Sequence, residues 1–450
     1  KNVLERYKRA LHPKEIVLQI GFQAYPTEFA DSGIAKIKEL NKSFDNRIAF
    51  TEHLDGTTED ALYLPTFAAV LGAEIIEKHV MHSSRETKYD YHSSVKVDRF
   101  KKYLKIQEQY LTAMEQPFIN EREQDYLDRS NQIPILANGK KANSILGYPD
   151  LEFRRSSQEG LNLFEVGELL ENRYLLNKNK KKHETLKKED FRPARIAACI
   201  ACRRHSTRLP DKALVEVGDL PSVQLCIKNV LKFDNVDEFI LATSTEEEDA
   251  VLENHIYDEE KVRFSKGDPL DVIQRYLDSI EGLGIDVIIR LTADNLYVSN
   301  DILQVLLKSH FEQGADYTAP IAKGAVSNMQ IVNVSALKKI KEYFPKADYS
   351  EYLTYYFQNN PDYFRLNYPK IPKELDRNYR LTLDYPEDLE VFQKIEEHLK
   401  EKNKEFSIQE VFRFLDNNPE IANINKNLAM KFKADPELIA KLNEVTKIRE

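Results

Sequence analysis

Cysteine is scarce: the 450 residues hold three, Cys199, Cys202 and Cys226, an odd number too small for a disulfide framework. Cys199 and Cys202 have the spacing of a redox dithiol, but they lie in or just after an apolar run, Ile196 to Ala201, rather than at a helix N-terminus, where a thiolate is stabilised. Buried strand cysteines are the reading, and a cytoplasmic address follows. No apolar run approaches the roughly 20 residues of a membrane-spanning helix. Lys1-Asn2-Val3 has no signal-peptide pattern, so no membrane partner is expected. The initial Met is missing as well, which implies that the beginning of the chain is absent. Positive charge is in deficit: 65 Lys and Arg against 74 Asp and Glu give a net charge of -9. Phosphate-backbone binders are basic overall, so nucleic acid is excluded as the main partner and any polyanion site must be local.

The chain does have an ordinary soluble composition, 42% hydrophobic and 31% charged, and a length that suggests about two to four domains. Its first part alternates apolar strand patterns (Ile16 to Phe22, Ile48 to Thr51, Glu74 to Met81) with helical ones (Ile34 to Leu40, Glu59 to Leu71, Val97 to Met114). Repeated strand–helix units mean a parallel sheet or a (β/α) barrel. A full barrel needs roughly 250 residues, and only three units are present. Polar residues follow the strands, where a barrel would place chemistry: Gln23 and Tyr25 after the first, Glu52, His53 and Asp55 after the second, Glu77, Lys78 and His79 at the third. From Gln116 to Leu176 the signals weaken to short strands and turns. A lysine run, Lys178 to Lys182 with Lys187 and Lys188, reads as a solvated linker.

The second half resumes the alternation. Ile196 to Ala201 reads as a buried strand, so the loop Cys202 to Lys212 would present Arg203, Ser206, Arg208 and Lys212 at a strand's carboxyl end, where open α/β sheets bind ligands. Glu238 to Thr243 leads to the hydroxyls of Thr243 and Ser244, and a helix starting near Asp271 carries Arg275. Asp286 to Leu291 is a strand leading to Asp294, and Tyr379 to Asp384 is a strand followed by a Pro-initiated helix. Each aspartate alone reads as a cap or turn residue. Cations for a leaving pyrophosphate and a pair of carboxylates for Mg²⁺ are what nucleotidyl transfer requires.

Two resemblances follow from these residues. Gly21 to Thr27, Thr51-Glu52-His53 and Gly72 to His79, with its Ile-Ile-Glu-Lys-His run, resemble the C-terminal half of the N-acetylneuraminate synthase barrel over about residues 14 to 113. That family condenses phosphoenolpyruvate with an amino sugar to make nine-carbon 2-keto acids, using a divalent metal such as Mn²⁺ held by two histidines. The resemblance implies a site of Tyr25, His53, Glu77, Lys78, His79 and Asp90; His53 matches one metal histidine, and Ile20 stands where the other is expected. The Cys202 to Lys212 loop, Arg290 to Asp294, Leu383 to Leu389 and the stretch Phe406 to Glu420 resemble sugar cytidylyltransferases of the spore-coat polysaccharide branch, over residues 194 to about 427. That resemblance implies catalytic Arg203, Arg208 and Lys212, nucleotide contacts at Ser206, Thr243, Ser244, Asp271 and Arg275, and Mg²⁺ on Asp294 and Asp384. Asn295-Leu296 and Ala293 depart from that family's Cys-Pro and Gly.

The expected organisation is an α/β multidomain chain: a partial TIM-type barrel (1–115), a small connector or antifreeze-like domain (116–176), a basic linker (177–193), a doubly wound Rossmann-like nucleotidyltransferase domain (194–430) and a tail (431–450). The expected partners are CTP, a 2-keto sugar acid and phosphoenolpyruvate, in a homo-oligomer. A transferase for another sugar or nucleotide, and a non-catalytic sugar- or nucleotide-binding scaffold, are the alternatives.

Overall fold

The computed structural model describes all residues except 1, 23, 86, 157, 205, 207, 322, 323, 325–327, 403, 429–434 and 450. Two compact units are present, Lys1–Ser130 and Asn131–Glu450, so the first boundary falls after a helix, Glu121–Ser130, that the expected division at 115 would have cut off. Among the described residues no helix is long and apolar enough to cross a membrane.

In the first unit Leu18–Ile20, Ile48–Glu52 and Ile75–Lys78 form a parallel sheet in sequence order. Ile48–Glu52 is buried at every position, the pattern of a strand covered on both faces. Its cover comes from the helices Lys36–Ser43, Asp60–Val70 and Val97–Met114, which contribute Ile37, Leu62, Leu64, Tyr103 and Ile106 to one core. The described strands make an open three-stranded sheet and a separate parallel pair, Val80–Met81 with Val95–Lys96; a closed barrel is not seen among them.

The second unit is built on a seven-stranded sheet in the order Val262–Gly267, Glu238–Ser244, Ile196–Ala201, Val287–Thr292, Gln330–Asn333, Tyr317–Thr318, Leu366–Asn367. The first four strands are parallel, and Gln330–Asn333 is antiparallel to its two neighbours. Ile196–Ala201 sits inside the sheet and its alternate residues enter the two apolar clusters on opposite faces, which is why the run is uniformly apolar. Cys199 and Cys202 are free and fully enclosed; burial pushes both thiols up to about 12, which removes the dithiol reading.

Three expectations are corrected here. Tyr379 to Asp384 joins no strand ladder: the Leu383 N–H donates to the Asp294 carbonyl at 2.8 Å, and the N–H groups of Asp384 and Tyr385 go to the Asp388 carboxylate at 2.9 and 3.0 Å. The donors at the end of the segment are thus spent on a loop contact and a helix cap rather than on a sheet. The 431–450 stretch is more than a tail, because the helix Pro436–Val445 leads to a fully buried Thr446, and Ile448 N–H donates to Asn360 Oδ1 at 2.7 Å.

The third correction concerns the basic linker. Residues 177–193 form half of a small lobe that repeats itself 40 residues apart: Leu136, Lys140, Lys141, Leu146 and Asp150 recur as Leu176, Lys180, Lys181, Leu186 and Asp190. Lys140 and Lys180 exchange backbone hydrogen bonds at 2.8 Å each way. Asn143 and His183 take matching left-handed φ of 63° and 64°. Asp150 and Asp190 each cap a short 3₁₀ turn and each bind the lysine ten residues earlier at 2.8 Å. The lysines are therefore held by an internal carboxylate, and the segment is structural. A helix, Leu163–Glu171, joins the halves and packs Val166 and Leu170 into the lobe's core. The lobe seats on the larger domain where Gly147 meets Gly314: a Cβ on Gly147 would lie 2.3 Å from the Gly314 nitrogen, so only glycine fits.

Candidate active site

The Cys202 to Lys212 loop leaves the carboxyl end of Ile196–Ala201, and Asp294 lies just past the end of the neighbouring parallel strand. Lys212 Nζ donates to Asp294 Oδ2 and Asp384 Oδ1, both at 3.0 Å. The two carboxylate oxygens are thus no farther apart than twice that distance. Arg208 Nη2 reaches the same Asp384 oxygen at 2.8 Å, and Arg380 Nη2 reaches its other oxygen at 3.3 Å. Arg380 is itself anchored on Asp388 at 2.7 and 3.0 Å. The Tyr385 ring lies against both guanidinium groups, 5.2 Å from Arg208 and 5.6 Å from Arg380.

Burial opposes charge on Lys212, but Asp294 and Asp384 outweigh it and raise its value above the ordinary lysine range. Burial likewise opposes charge on Asp294, and Lys212 outweighs it, so Asp294 sits below the ordinary carboxylate range. Lys212 and Asp294 therefore hold each other in their charged forms. Its carboxylates are hard oxygen donors of the kind Mg²⁺ takes, usually few in number with substrate and water completing the shell. Among the described residues no group of three His, Cys, Asp or Glu is placed to hold a metal ion.

The other expected nucleotide contacts are placed differently. Arg203 turns to Glu351 at 3.0 Å. Ser206 is partly buried in the loop. Thr243 is fully buried with its hydroxyl unpartnered. The Ser244 hydroxyl donates to Asp249, whose other oxygen takes the Arg204 N–H at 2.6 Å and so fixes the start of the loop. Asp271 caps the helix Val272–Ser279 and pairs with Lys341. Arg275 is buried and braces the preceding turn through the Asp268 and Pro269 carbonyls. Arg380, Asp388 and Asn295, whose amide donates to Asp294 at 3.0 Å, were not among the expected residues. The four-residue spacing of Arg380, Asp384 and Asp388 was the signal available for two of them.

In the first unit the structure brings His53 and Tyr25 together with His79: ring centroids are 4.6 Å apart for Tyr25 and His53, 5.1 Å for His53 and His79. His53 Nδ1 bonds the Phe22 carbonyl at 3.0 Å, and His79 Nε2 is buried without a partner. Ile20, which stands where the resemblance expects a second histidine, is a core residue, and the imidazole that lies beside His53 is that of His79. Glu77 takes a hydrogen bond from Gln19 at 2.6 Å, while Lys78 and Glu52 form a buried ion pair. Asp90 lines a cavity of about 370 Å³ with His79, His82 and Arg85. Gln23 lies outside the described residues.

Comparison with known proteins matches residues 197–413 to the Cytidylyltransferase model and residues 2–117 to the NeuB family. Spore coat polysaccharide biosynthesis protein SpsF of Bacillus subtilis is 31% identical over 238 residues, 50% of this chain and 96% of that protein. An uncharacterized protein of Methanocaldococcus jannaschii is 30% identical over 243 residues, 53% of this chain and 97% of that protein. Among solved structures, a cytidylyltransferase from Leptospira borgpetersenii covers 53% of this chain and 99% of its own, with 23% identity and a TM-score of 0.46. The chain is a member of the cytidylyltransferase family, to which its second unit belongs, preceded by a NeuB family segment.

Proposed function

We propose that the second unit transfers the cytidylyl group of CTP to the anomeric hydroxyl of a 2-keto sugar acid, forming a CMP-sugar and releasing pyrophosphate. The observation that carries this reading is Lys212, bound at once to Asp294 and Asp384 beside Arg208. Arg208 and Lys212 supply the positive charge that a triphosphate and a leaving pyrophosphate demand. Lys212 stays protonated throughout the neutral range because two carboxylates hold its proton. Asp294 and Asp384 would hold Mg²⁺, which when bound offsets the phosphate charge. The acceptor oxygen attacks the α-phosphorus in line, the bond to pyrophosphate breaks, and the hydroxyl proton leaves to solvent. The NeuB family segment supports a sugar-acid acceptor, since the N-acetylneuraminate synthases it resembles make such acids. The test is pyrophosphate release with CTP, Mg²⁺ and a panel of nonulosonic acids; nucleotide binding with no release from any acid would sink the proposal.

For the first unit we propose a condensing site for phosphoenolpyruvate and an amino sugar, centred on Tyr25, His53 and His79. The unpartnered Nε2 of His79 beside His53 is the observation that favours it, because two imidazoles are suited to a divalent metal such as Mn²⁺. Phosphate release from phosphoenolpyruvate by the chain, abolished by His53→Ala and by His79→Ala, is the expected result. Release that survives both substitutions would remove the site.

A further inference from the structure

Arg290 lies inside the sheet, in the strand Val287–Thr292, with Ile196–Ala201 on one side and Gln330–Asn333 on the other. Val287, Ile289 and Leu291 enter one apolar cluster and Ile288 the opposite one. Alternation therefore sends Arg290 to the second face. An apolar side chain would suit that position better, because a charge placed within a sheet loses much of its hydration. The usual remedy is a carboxylate partner, and Arg290 has none among the described residues. Its Nη1 donates to the Gln330 amide oxygen at 2.7 Å and its Nη2 to the Glu351 main-chain carbonyl at 3.2 Å. Its Nε–H is buried without an acceptor. The Glu351 carboxylate is already taken by Arg203 at 3.0 Å. The buried Tyr276 and Tyr317 phenols, both raised by burial, are neighbouring titratable groups and bring no charge. The Nε edge is closed to a ligand, but the guanidinium is held by neutral acceptors alone, so its Nη side keeps an uncompensated positive charge for a planar anion.

The strand ends at Thr292 and turns to Asp294, so Arg290 lies only about 7 Å of backbone below the edge that carries the reacting groups. At that edge Arg208 and Lys212 serve Asp294 and Asp384, Arg380 is neutralised by Asp384 and Asp388, and Arg275 is enclosed against backbone carbonyls. In a 2-keto sugar acid the carboxylate is bonded to the same carbon as the attacking hydroxyl. It must lie next to the reacting oxygen and needs a cation that the triphosphate leaves free. We propose that Arg290 is the specificity-determining residue for the acceptor: it binds the carboxylate of the sugar acid through the Nη side of its guanidinium and rejects acceptors that lack that charge. This inference rests on the cytidylyl-transfer reading above.

The experiment measures pyrophosphate release with CTP and either N-acetylneuraminic acid or 3-deoxy-octulosonic acid, each compared with its neutral methyl ester. The unsubstituted protein should prefer acid to ester by about 10- to 100-fold in kcat/KM, the worth of one charge-assisted contact. Arg290→Gln should erase that preference by losing activity on the acid alone, with the KM for CTP within about twofold and Arg290→Lys restoring part of the loss. Because Arg290→Gln changes the interior of the sheet, Gln330→Glu provides a second variant. It keeps the arginine but gives it an internal carboxylate, and it should raise the KM for the acid while leaving that for the ester alone. A preference for acid that survives in both variants overturns the inference and leaves cytidylyl transfer standing. An equal rise in the KM for CTP assigns Arg290 to the phosphates and overturns it as well. Failure of the unsubstituted protein with every acid overturns the transfer reading itself.

Discussion

Lys78 in the first unit and Lys212 in the second are both withdrawn from water against acidic side chains, yet they behave oppositely. Lys78 faces one carboxylate, Glu52, and both partners are almost fully enclosed, at 2% and 0% exposure. Burial dominates there: it lowers Lys78 and raises Glu52, and their mutual attraction only partly opposes it. Lys212 faces two carboxylates and keeps 19% exposure. There attraction wins, and Lys212 is raised while Asp294 is lowered. A single ion pair in a dry site is pushed toward neutrality, whereas a lysine shared by two aspartates at a partly wet edge stays charged. The first arrangement suits a structural or proton-handling pair. The second stores the charge that a phosphate ligand would use.

The comparison breaks most visibly under substitution of the shared lysine. Lys212→Met and Asp294→Asn should each lower pyrophosphate release by at least about 100-fold; if either variant stays within tenfold of the unsubstituted protein, the cluster is structural and the contrast with Lys78 disappears. Lys78→Met should destabilise the first unit by about 1–3 kcal/mol, because Glu52, already pushed toward its neutral form, loses its buried hydrogen-bond partner. Hydrogen exchange of the Ile48–Glu52 amides in the full chain reads this loss, and Lys78→Met with Glu52→Leu should recover most of it.

The pH dependence separates the two sites by sign. Glu52, raised, contributes stability that is complete below its ordinary 4.5 and fades as pH rises through its folded value. Lys78, lowered, contributes stability that is complete above its ordinary 10.5 and fades as pH falls through its folded value. Their joint contribution therefore dips at neutral pH. Asp294, lowered, loses its contribution only as pH falls below 3.8, and Lys212, raised, only as pH rises above 10.5, so their contribution is a plateau between those limits. Exchange free energies of Ile48–Glu52 and Val287–Thr292 measured from pH 5 to 9 should show the dip in the first strand alone. The smallest expected effect is Glu52→Gln, about 1 kcal/mol at pH 7, because the amide imitates a carboxyl group already pushed toward its neutral form. A much larger loss by thermal unfolding would show that Glu52 is fully ionised and that the two lysines are alike.

Much of the second unit was readable in advance because its signals are local. Ile196–Ala201 and Val97–Met114 have the expected bounds, since each is set by an uninterrupted pattern within one element. Arg208, Lys212, Asp294 and Asp384 could be picked out because each follows a strand or precedes a Pro-initiated helix. The duplicated lobe was not readable from its lysines, whose run resembles a solvated segment. What removes them from that class is Asp190, which collects Lys178 and Lys180 after the chain has turned back on itself. His79 was in view from the start, but nothing local distinguished it from Ile20 as the neighbour of His53.

The sequence by itself determined the alternation of strands and helices, the apolar strands that carry the loops, and the supply of arginines, lysine and aspartates to one edge of one sheet. These depend on neighbours within a few positions, where backbone geometry sets which side chains share a face. Only the tertiary structure decided how many carboxylates each lysine meets, that Asp384 reaches Asp294 through the Leu383 N–H rather than through a strand ladder, and that Arg290 has no counter-ion among the described residues. Electrostatic interaction acts through space and depends on burial, and neither the distance nor the burial is set until segments remote in the chain have packed together.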